Sequence, residues 1–158
     1  MRKSLQLLGI VMISVVVFLS CSLEKEGNYL TPIKHEIPEL LENNIEVVTF
    51  IQQNTKDLNN WAIVLEDLVV QCEPYIGKSE SELSDTDKQK LGKIMMDLVA
   101  NMGQFSVYVA EMQQNESTIE YDLNEKELQA FTLIKNQFDI RVEEINTKYL
   151  NFGMADEE

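Results

Sequence analysis

A long apolar stripe between residues 41 and 72 constrains the fold of this chain more than any other feature. Its members recur at alternating intervals of three and four residues, which places them on one face of an α-helix. The stripe consists of Leu41, Ile45, Val48, Ile51, Thr55, Leu58, Ala62, Leu65, Val69 and Cys72. A second apolar set, which includes Phe50 and Trp61, widens this face. The helix is therefore expected to pack against two neighbours.

This first helix is predicted to begin at Pro38 and to end at Pro74 and Gly77. Proline suits the first turn of a helix, because the N–H that it lacks would have no partner there. Asn59 and Asn60 form a weak point, and a break of the helix in two at this point is the alternative. We favour one continuous helix, because the apolar stripe keeps its phase through this region.

The second helix is predicted to run from the N-cap Ser84 to Met112. Two aspartates in its first turn would interact favourably with the positive end of the helix dipole. Its core positions are Leu91, Ile94, Leu98, Met102, Phe105, Val109 and Met112. Its interior also contains a ridge of mostly small residues, namely Ala100, Gly103, Ser106, Val107 and Ala110. Such a ridge either lets a neighbouring helix approach closely or forms a groove for a ligand or partner.

The third helix is predicted to begin at Asn124, which can form a capping box with Glu127. Ser117 with Glu120 is a rival start about a turn earlier. The core positions of this helix are Leu128, Phe131, Ile134, Phe138, Val142, Ile145 and Tyr149. Residues 113–122 are then expected to form a connection between the second and third helices.

Three amphipathic helices with short connections predict an all-α fold, an up-down-up antiparallel three-helix bundle. No strand-like alternation of polar and apolar residues competes with the helical period. The bundle domain is predicted over residues 38–153, followed by a frayed tail over 154–158. A four-helix bundle is the alternative, if the first helix breaks near Asn59.

The composition argues against several classes of function. The chain has 27 acidic and 13 basic side chains and a net charge of −14, so it should repel nucleic acid. His35 is the single histidine and there are two cysteines, too few ligands for a zinc site or a di-iron helical bundle. Glycine-rich phosphate loops and nucleophile motifs are also missing from the sequence. We predict no catalytic residues, no metal site and no cofactor, and hence not an enzyme.

The N-terminal segment carries the one motif with an assignable chemical role. Arg2 and Lys3 precede an uncharged run from Leu5 to Leu19. That length is typical of the apolar part of a signal peptide and falls short of the roughly 20 residues that span a bilayer. The run ends at Phe18-Leu19-Ser20-Cys21, where small residues leave room for a peptidase.

This segment resembles the signal peptide of bacterial lipoproteins. Leu19, Ser20 and Cys21 match the lipobox of that family, whereas Phe18 departs from it because leucine is usual there. The resemblance implies cleavage between Ser20 and Cys21 and lipid attached to the Cys21 thiol. Residues 1–20 would then be the signal peptide and 21–37 a lipidated tether. The alternatives are an ordinary secretory signal and an uncleaved anchor helix.

Lipidation of Cys21 would leave Cys72 as the only thiol, so no disulfide could form within the chain. We expect Cys72 to be a small buried side chain, with a bridge between two chains as the alternative. The bundle must then depend on its apolar core for stability.

The sequence predicts a lipid-anchored, non-catalytic binding or interaction module of the bacterial cell envelope, either periplasmic or exposed at the surface. Lipid on Cys21 would attach it to the membrane, and its further partner would be an envelope protein. Trp61, Gly103 and Tyr108 are the residues predicted for the partner groove. One alternative is a structural or accessory subunit of an envelope complex. The other is a binder of a small apolar ligand inside the bundle.

Overall fold

The computed structural model describes residues 29–150 and contains three long helices that pack side by side. Helix α1 runs over Ile45–Cys72, α2 over Asp85–Asp122 and α3 over Glu125–Ile145. A π-helical turn, Asn146–Leu150, continues α3. Within the described residues there is no β-strand. The predicted all-α three-helix bundle is thereby confirmed.

The sequence predicted that the first helix begins at Pro38, but α1 begins at Ile45. The side chain of Asn44 accepts a hydrogen bond of 3.2 Å from the N–H of Val47, which otherwise has no partner inside the helix. Leu41 is fully buried, but it reaches the core from a turn that precedes the helix. From Ile45 onward α1 is uninterrupted, which confirms the predicted continuity through Asn59; the alternative of a break there, and with it the four-helix bundle, is wrong.

The connection between α1 and α2 follows the proline and glycine that the sequence places there. Pro74 lies in a short 3-10 turn, Glu73–Tyr75, directly after the last residue of α1. Gly77 has a φ of +77°, a left-handed conformation that residues with a Cβ adopt only with strain. A second 3-10 turn, Glu80–Glu82, leads to the N-cap Ser84, whose hydroxyl accepts from the N–H of Asp87.

The predicted connection over residues 113–122 is helical, because α2 continues to Asp122. Met112, Glu116 and Ile119 are buried and extend the core positions of α2 at intervals of three and four residues. The rival start of α3 at Ser117 is therefore wrong. The predicted N-cap Asn124 is confirmed. Its side chain accepts hydrogen bonds from the N–H of Lys126 at 3.0 Å and from the N–H of Glu127 at 3.2 Å.

The core runs along the bundle axis and draws on all three helices. Its aromatic part packs edge to face: the ring of Phe50 lies 5.8 Å from Phe131 and 6.2 Å from Phe138. Cys72 is fully buried against Leu83 and Leu91. This confirms the predicted buried role of Cys72. Burial also raises the pKa of its thiol to about 11, so neither access nor ionisation favours a bridge to another chain.

Residues 29–37, which the sequence assigned to the tether, lie against the groove between α1 and α3. The side chain of Asn59 accepts from the N–H of Ile33 and donates to its carbonyl oxygen, both at 2.9 Å. The guanidinium of Arg141 donates to the carbonyl oxygen of Thr31. Leu30 and Ile33 also pack against the core. The packed domain therefore begins before Pro38, because these backbone groups and apolar side chains find partners on the bundle.

The lipobox lies outside the described residues, and so does the expected tail over 154–158. Cleavage between Ser20 and Cys21 and lipidation of Cys21 stay predictions. Of the helices in the described part of the chain, none is both long and apolar enough to span a bilayer.

Candidate functional site

Two of the three predicted groove residues meet at the seam between α1 and α2. The ring of Trp61 lies 5.7 Å from Phe105 and 6.3 Å from Tyr108. The hydroxyl of Tyr108 donates to Oδ1 of Asn54 at 2.8 Å, and the Asn54 amide donates to the carbonyl oxygen of Phe50. Burial raises the pKa of Tyr108, so its hydroxyl keeps the proton that it donates. Trp61 and Tyr108 are therefore held mostly by packing within the bundle.

The third predicted residue, Gly103, lies on another surface. It is exposed, and a Cβ built on it would meet no atom of another part of the chain within 4 Å. Gly103 is two residues from the buried Phe105, which turns it about 160° away around the helix. The three residues consequently do not line one groove. One of the two uses expected for the small ridge was the close approach of a neighbouring helix of the same bundle. No helix of the bundle approaches it at Gly103.

The ridge instead belongs to a continuous apolar surface on the side of α2 that points away from the bundle. Met96 is 75% exposed, Val99 66% and Val107 59%. We call this surface the outer face of α2, and its residues are Met96, Val99, Ala100, Gly103, Val107 and Ala110. Contiguous apolar surface that stays exposed on a soluble domain commonly marks an interaction site.

Helix α2 is thus apolar on two opposite sides. Its fully buried core positions recur every seven residues, at Leu91, Leu98, Phe105, Met112 and Ile119. The outer face repeats with the same spacing about half a turn away. The bundle covers the first side only, so the second is left for something outside the described chain.

Sequence reasoning missed a set of buried charges at the end of α3. Glu66 is 3% exposed and accepts from the Tyr149 hydroxyl at 2.7 Å and from Nζ of Lys148 at 2.8 Å. Arg141 is 1% exposed and pairs with Glu144 at 2.9 Å. These polar side chains occupy positions that continue the apolar stripes. A polar residue at such a position is the only sign of them in the sequence.

Glu116 is the other buried charge that periodicity concealed. It is 1% exposed, and its Oε1 has no hydrogen-bond partner. Burial raises the pKa of its carboxyl to about 7, while the nearby Lys135 lowers it and Asp139 raises it. The ammonium of Lys135 is already paired with Glu120 at 2.8 Å. The carboxyl of Glu116 is therefore costly to ionise.

A shallow groove of about 390 Å³ lies where the docked N-terminal segment meets the end of α3. It is open to solvent and lined by Leu30, Ile140, Glu143, Glu144, Thr147 and Lys148. It is a surface feature, whereas the predicted binder of a small apolar ligand would hold that ligand inside the bundle. In the part of the chain that the structure describes, no group of three or more His, Cys, Asp and Glu side chains could hold a metal ion.

The chain matches no protein-family model, no curated protein and no solved structure. Its function has to be argued from its own residues. The polar side chains at the seam and at the end of α3 are engaged with one another inside the bundle. The outer face of α2 is engaged with nothing that the described residues supply.

Proposed function

We propose that this chain is a lipid-anchored, non-catalytic interaction module of the bacterial cell envelope, with the outer face of α2 as its docking surface. The exposure of Met96, Val99 and Val107 is the observation that carries this proposal. Burial of apolar surface is the main driving force of protein association, and here exposed apolar residues share one face of α2. The lipobox-like sequence ending at Cys21 supports the anchor.

The way in which residues 29–37 dock supports a free docking surface. They contact α1 through Asn59 and α3 through Arg141, and the ring of His35 packs edge to face on Phe138 of α3 at 4.8 Å. The groove between α1 and α3 lies on the side of the bundle remote from the outer face of α2. An anchor attached through this segment therefore leaves the docking surface uncovered.

Two of the buried polar side chains, Tyr108 and Glu66, are hydrogen-bonded inside the bundle. Tyr108 is bonded to Asn54, and Glu66 to Tyr149. The thiol of Cys72 is fully buried and its pKa is raised, which disfavours the nucleophilic thiolate. This arrangement supports a rigid scaffold that presents a surface, because a rigid surface loses little conformational entropy on binding.

The test is a crosslinked pull-down from intact cells with four versions of the full chain. Wild type is compared with Cys21→Ala, with Val107→Glu on the outer face of α2, and with Leu133→Glu as a matched control. Leu133 is 66% exposed and lies on α3, so its substitution adds the same charge to a different surface.

We expect wild type and Leu133→Glu to capture the same partner, and Val107→Glu to lose it. Cys21→Ala should leave the membrane fraction. Capture that is equal with Val107→Glu would refute the docking surface. Membrane attachment that is unchanged in Cys21→Ala would refute the lipid anchor.

A further inference from the structure

We propose that the outer face of α2 binds the outer face of α2 in a second copy of this chain, with the two helices antiparallel about a twofold axis between residues 101 and 102. This inference rests on the function proposed above and deepens it, because it uses the same docking surface and names the partner. It follows from the spacing, the sizes and the charges of the residues on that surface.

The spacing is that of a coiled-coil seam. Starting from Lys93, positions recur at alternating intervals of three and four residues: Lys93, Met96, Ala100, Gly103, Val107, Ala110 and Gln114. The five central members are apolar or small and belong to the outer face of α2. A seam with this period is matched by another helix that lies along it at a shallow crossing angle. The occupant that fits is therefore a helix.

The sizes of the side chains make the surface complementary to itself. With the axis between residues 101 and 102, Met96 faces Val107 of the second copy, and Ala100 faces Gly103 of the second copy. Large side chains then meet at both ends, and small residues meet at the centre, where the two backbones approach most closely. A twofold axis requires that one surface be its own complement, and this surface meets that condition.

The charges select the antiparallel direction. The side chain of Lys93 is 79% exposed and pairs with Asp97 of its own helix at 2.9 Å, which leaves its other donors open to solvent, and Glu111 is exposed at the other end of the apolar stretch. The antiparallel arrangement places Lys93 level with Ala110 of the second copy and thus beside Glu111 of that copy, and symmetry repeats the pair. A parallel arrangement would place Lys93 against Lys93 and Glu111 against Glu111. Opposite charges that flank a seam set the orientation of paired helices in the same way.

The available area fits a dimer that dissociates readily. From their exposed fractions, Met96, Val99 and Val107 contribute roughly 350 Å² per copy, and the whole pair would bury roughly 1,000–1,200 Å² in total. That is more than most crystal contacts bury and lies at the lower limit of specific interfaces. We expect a dissociation constant of roughly 1–100 μM. Anchoring both copies on one membrane would raise their effective concentration.

Disulfide trapping tests the orientation on the full chain in cell membranes. Met96→Cys and Val107→Cys are made singly, tagged differently and produced either alone or together. The two sites are about 16 Å apart along the helix, beyond the reach of a disulfide. In the antiparallel dimer only the mixed pair should form a disulfide crosslink, and each single variant produced alone should remain without one. The wild-type chain, which carries Cys21 and Cys72, gives the background.

Crosslinking of Met96→Cys with itself would overturn the antiparallel arrangement, because it requires the two positions to be level. No crosslinking above background in the mixed pair would overturn the interface as a whole. Neither result depends on activity or on an unidentified partner.

A charge exchange tests the same geometry by sedimentation of the full chain in detergent. Lys93→Glu should raise the dissociation constant about fivefold or more, because two attractive pairs become repulsive. The double variant Lys93→Glu with Glu111→Lys should return to within about twofold of wild type. A variant that merely misfolds would not be rescued in this way. Failure of the rescue would overturn the pairing.

The outcomes separate this inference from the function proposed above. A wild-type chain that stays monomeric up to about 200 μM, while Val107→Glu still loses a captured protein, would overturn the second copy as occupant and leave the docking surface standing. A dimer that Val107→Glu abolishes would support both. A dimer that survives this substitution would overturn the second copy as occupant of the outer face of α2, and the capture experiment alone would then decide on the docking surface.

Discussion

Replacing Glu116 by glutamine is expected to stabilise the bundle at pH 8 and to change its stability little at pH 5. The carboxyl of Glu116 is 1% exposed, and its Oε1 has no hydrogen-bond partner. Among the described residues the cation near it is Lys135, whose ammonium is paired with Glu120 at 2.8 Å. At alkaline pH the fold must therefore keep a poorly compensated negative charge inside.

The magnitude follows from proton linkage. Burial raises the pKa of Glu116 from 4.5 to about 7, so the folded chain holds this proton more tightly than the unfolded chain does. The contribution of this proton to the free energy of unfolding is fully present below pH 4.5 and is lost progressively as the pH rises towards 7. Above pH 7 the free energy of unfolding no longer changes through this group. At about 1.4 kcal/mol per pKa unit, the full cost of ionisation is on the order of 3 kcal/mol. Glutamine has nearly the same shape and no charge to ionise.

The assay is urea unfolding of the full chain at several pH values between 5 and 8. We expect Glu116→Gln to raise the free energy of unfolding by about 2–3 kcal/mol at pH 8 and by less than about 1 kcal/mol at pH 5. Glu143→Gln is the control, because Glu143 is exposed on α3 and its replacement should change stability by less than about 0.5 kcal/mol at any pH.

A difference between wild type and Glu116→Gln that is the same at pH 5 and pH 8 would show that the carboxyl does not titrate in this interval. A variant less stable than wild type at pH 8 would mean that the attraction to Lys135 outweighs the cost of burial. Either result would refute the argument from desolvation.

Three further changes test the local structure. Asn59→Ala should raise the rate of cleavage within residues 29–37 in limited proteolysis about tenfold, because two hydrogen bonds to Ile33 are lost. Asn60→Ala, at an exposed neighbouring site, should leave this rate unchanged. Gly103→Ala should raise the free energy of thermal unfolding by about 0.5–1 kcal/mol, since a Cβ there has open space; Gly77→Ala should lower it by about 1–2 kcal/mol because of the positive φ. Tyr149→Phe should lower the free energy of urea unfolding by about 1–2 kcal/mol, as a buried carboxylate loses a hydroxyl donor.

The period of the apolar residues was enough to predict three helices and most of the residues in their cores. Ser84 and Asn124 could be recognised as caps, because each precedes a helical pattern and offers a side-chain oxygen to the first turn. Asn44 gave no such sign, since Leu41 continues the apolar stripe upstream of it. Leu41 is buried from a turn, and periodicity alone cannot distinguish that from burial by a helix.

The end of α2 was mispredicted because a charged residue occupies a core position. Residues 113–118 are all polar, and the buried Glu116 falls where the period calls for an apolar side chain. The exposed members of this stretch lie on the outside of the helix. Only Ile119 resumes the pattern, too late to outweigh the polar composition that precedes it.

The use of the ridge around Gly103 could not be decided from the sequence. A stripe of small residues fits a neighbouring helix of the same bundle and a partner from outside equally well. The choice depends on which side of α2 the other two helices cover. They cover the side of Phe105, whose ring contacts Trp61 of α1, a residue distant in sequence. Tertiary packing therefore assigned the ridge to the surface.

The docked N-terminal segment connects the anchor with the proposed dimer. If Cys21 carries lipid, seven residues separate it from Tyr29, a span of at most about 29 Å. Tyr29 donates to Asp67 at 2.7 Å. Five residues after Asp67, the thiol of Cys72 lies 4.0 Å from the sulfur of Met95 on α2. Because α1 and α2 run in opposite directions, five residues back along α1 correspond to five residues forward along α2. Asp67 is therefore level with about residue 100 of α2.

Residue 100 is next to the proposed twofold axis between residues 101 and 102. The two docked segments of an antiparallel dimer would therefore leave their bundles at nearly the same level, and not at opposite ends of the assembly. A dimer whose helices lie parallel to the membrane could then keep both anchors in one leaflet. An antiparallel pair centred near either end of α2 would set the two segments tens of ångströms apart along the helices, so that a tilt of the dimer would lift one of them away from the membrane. The position of the apolar stretch near the middle of α2 is thus compatible with a short anchor.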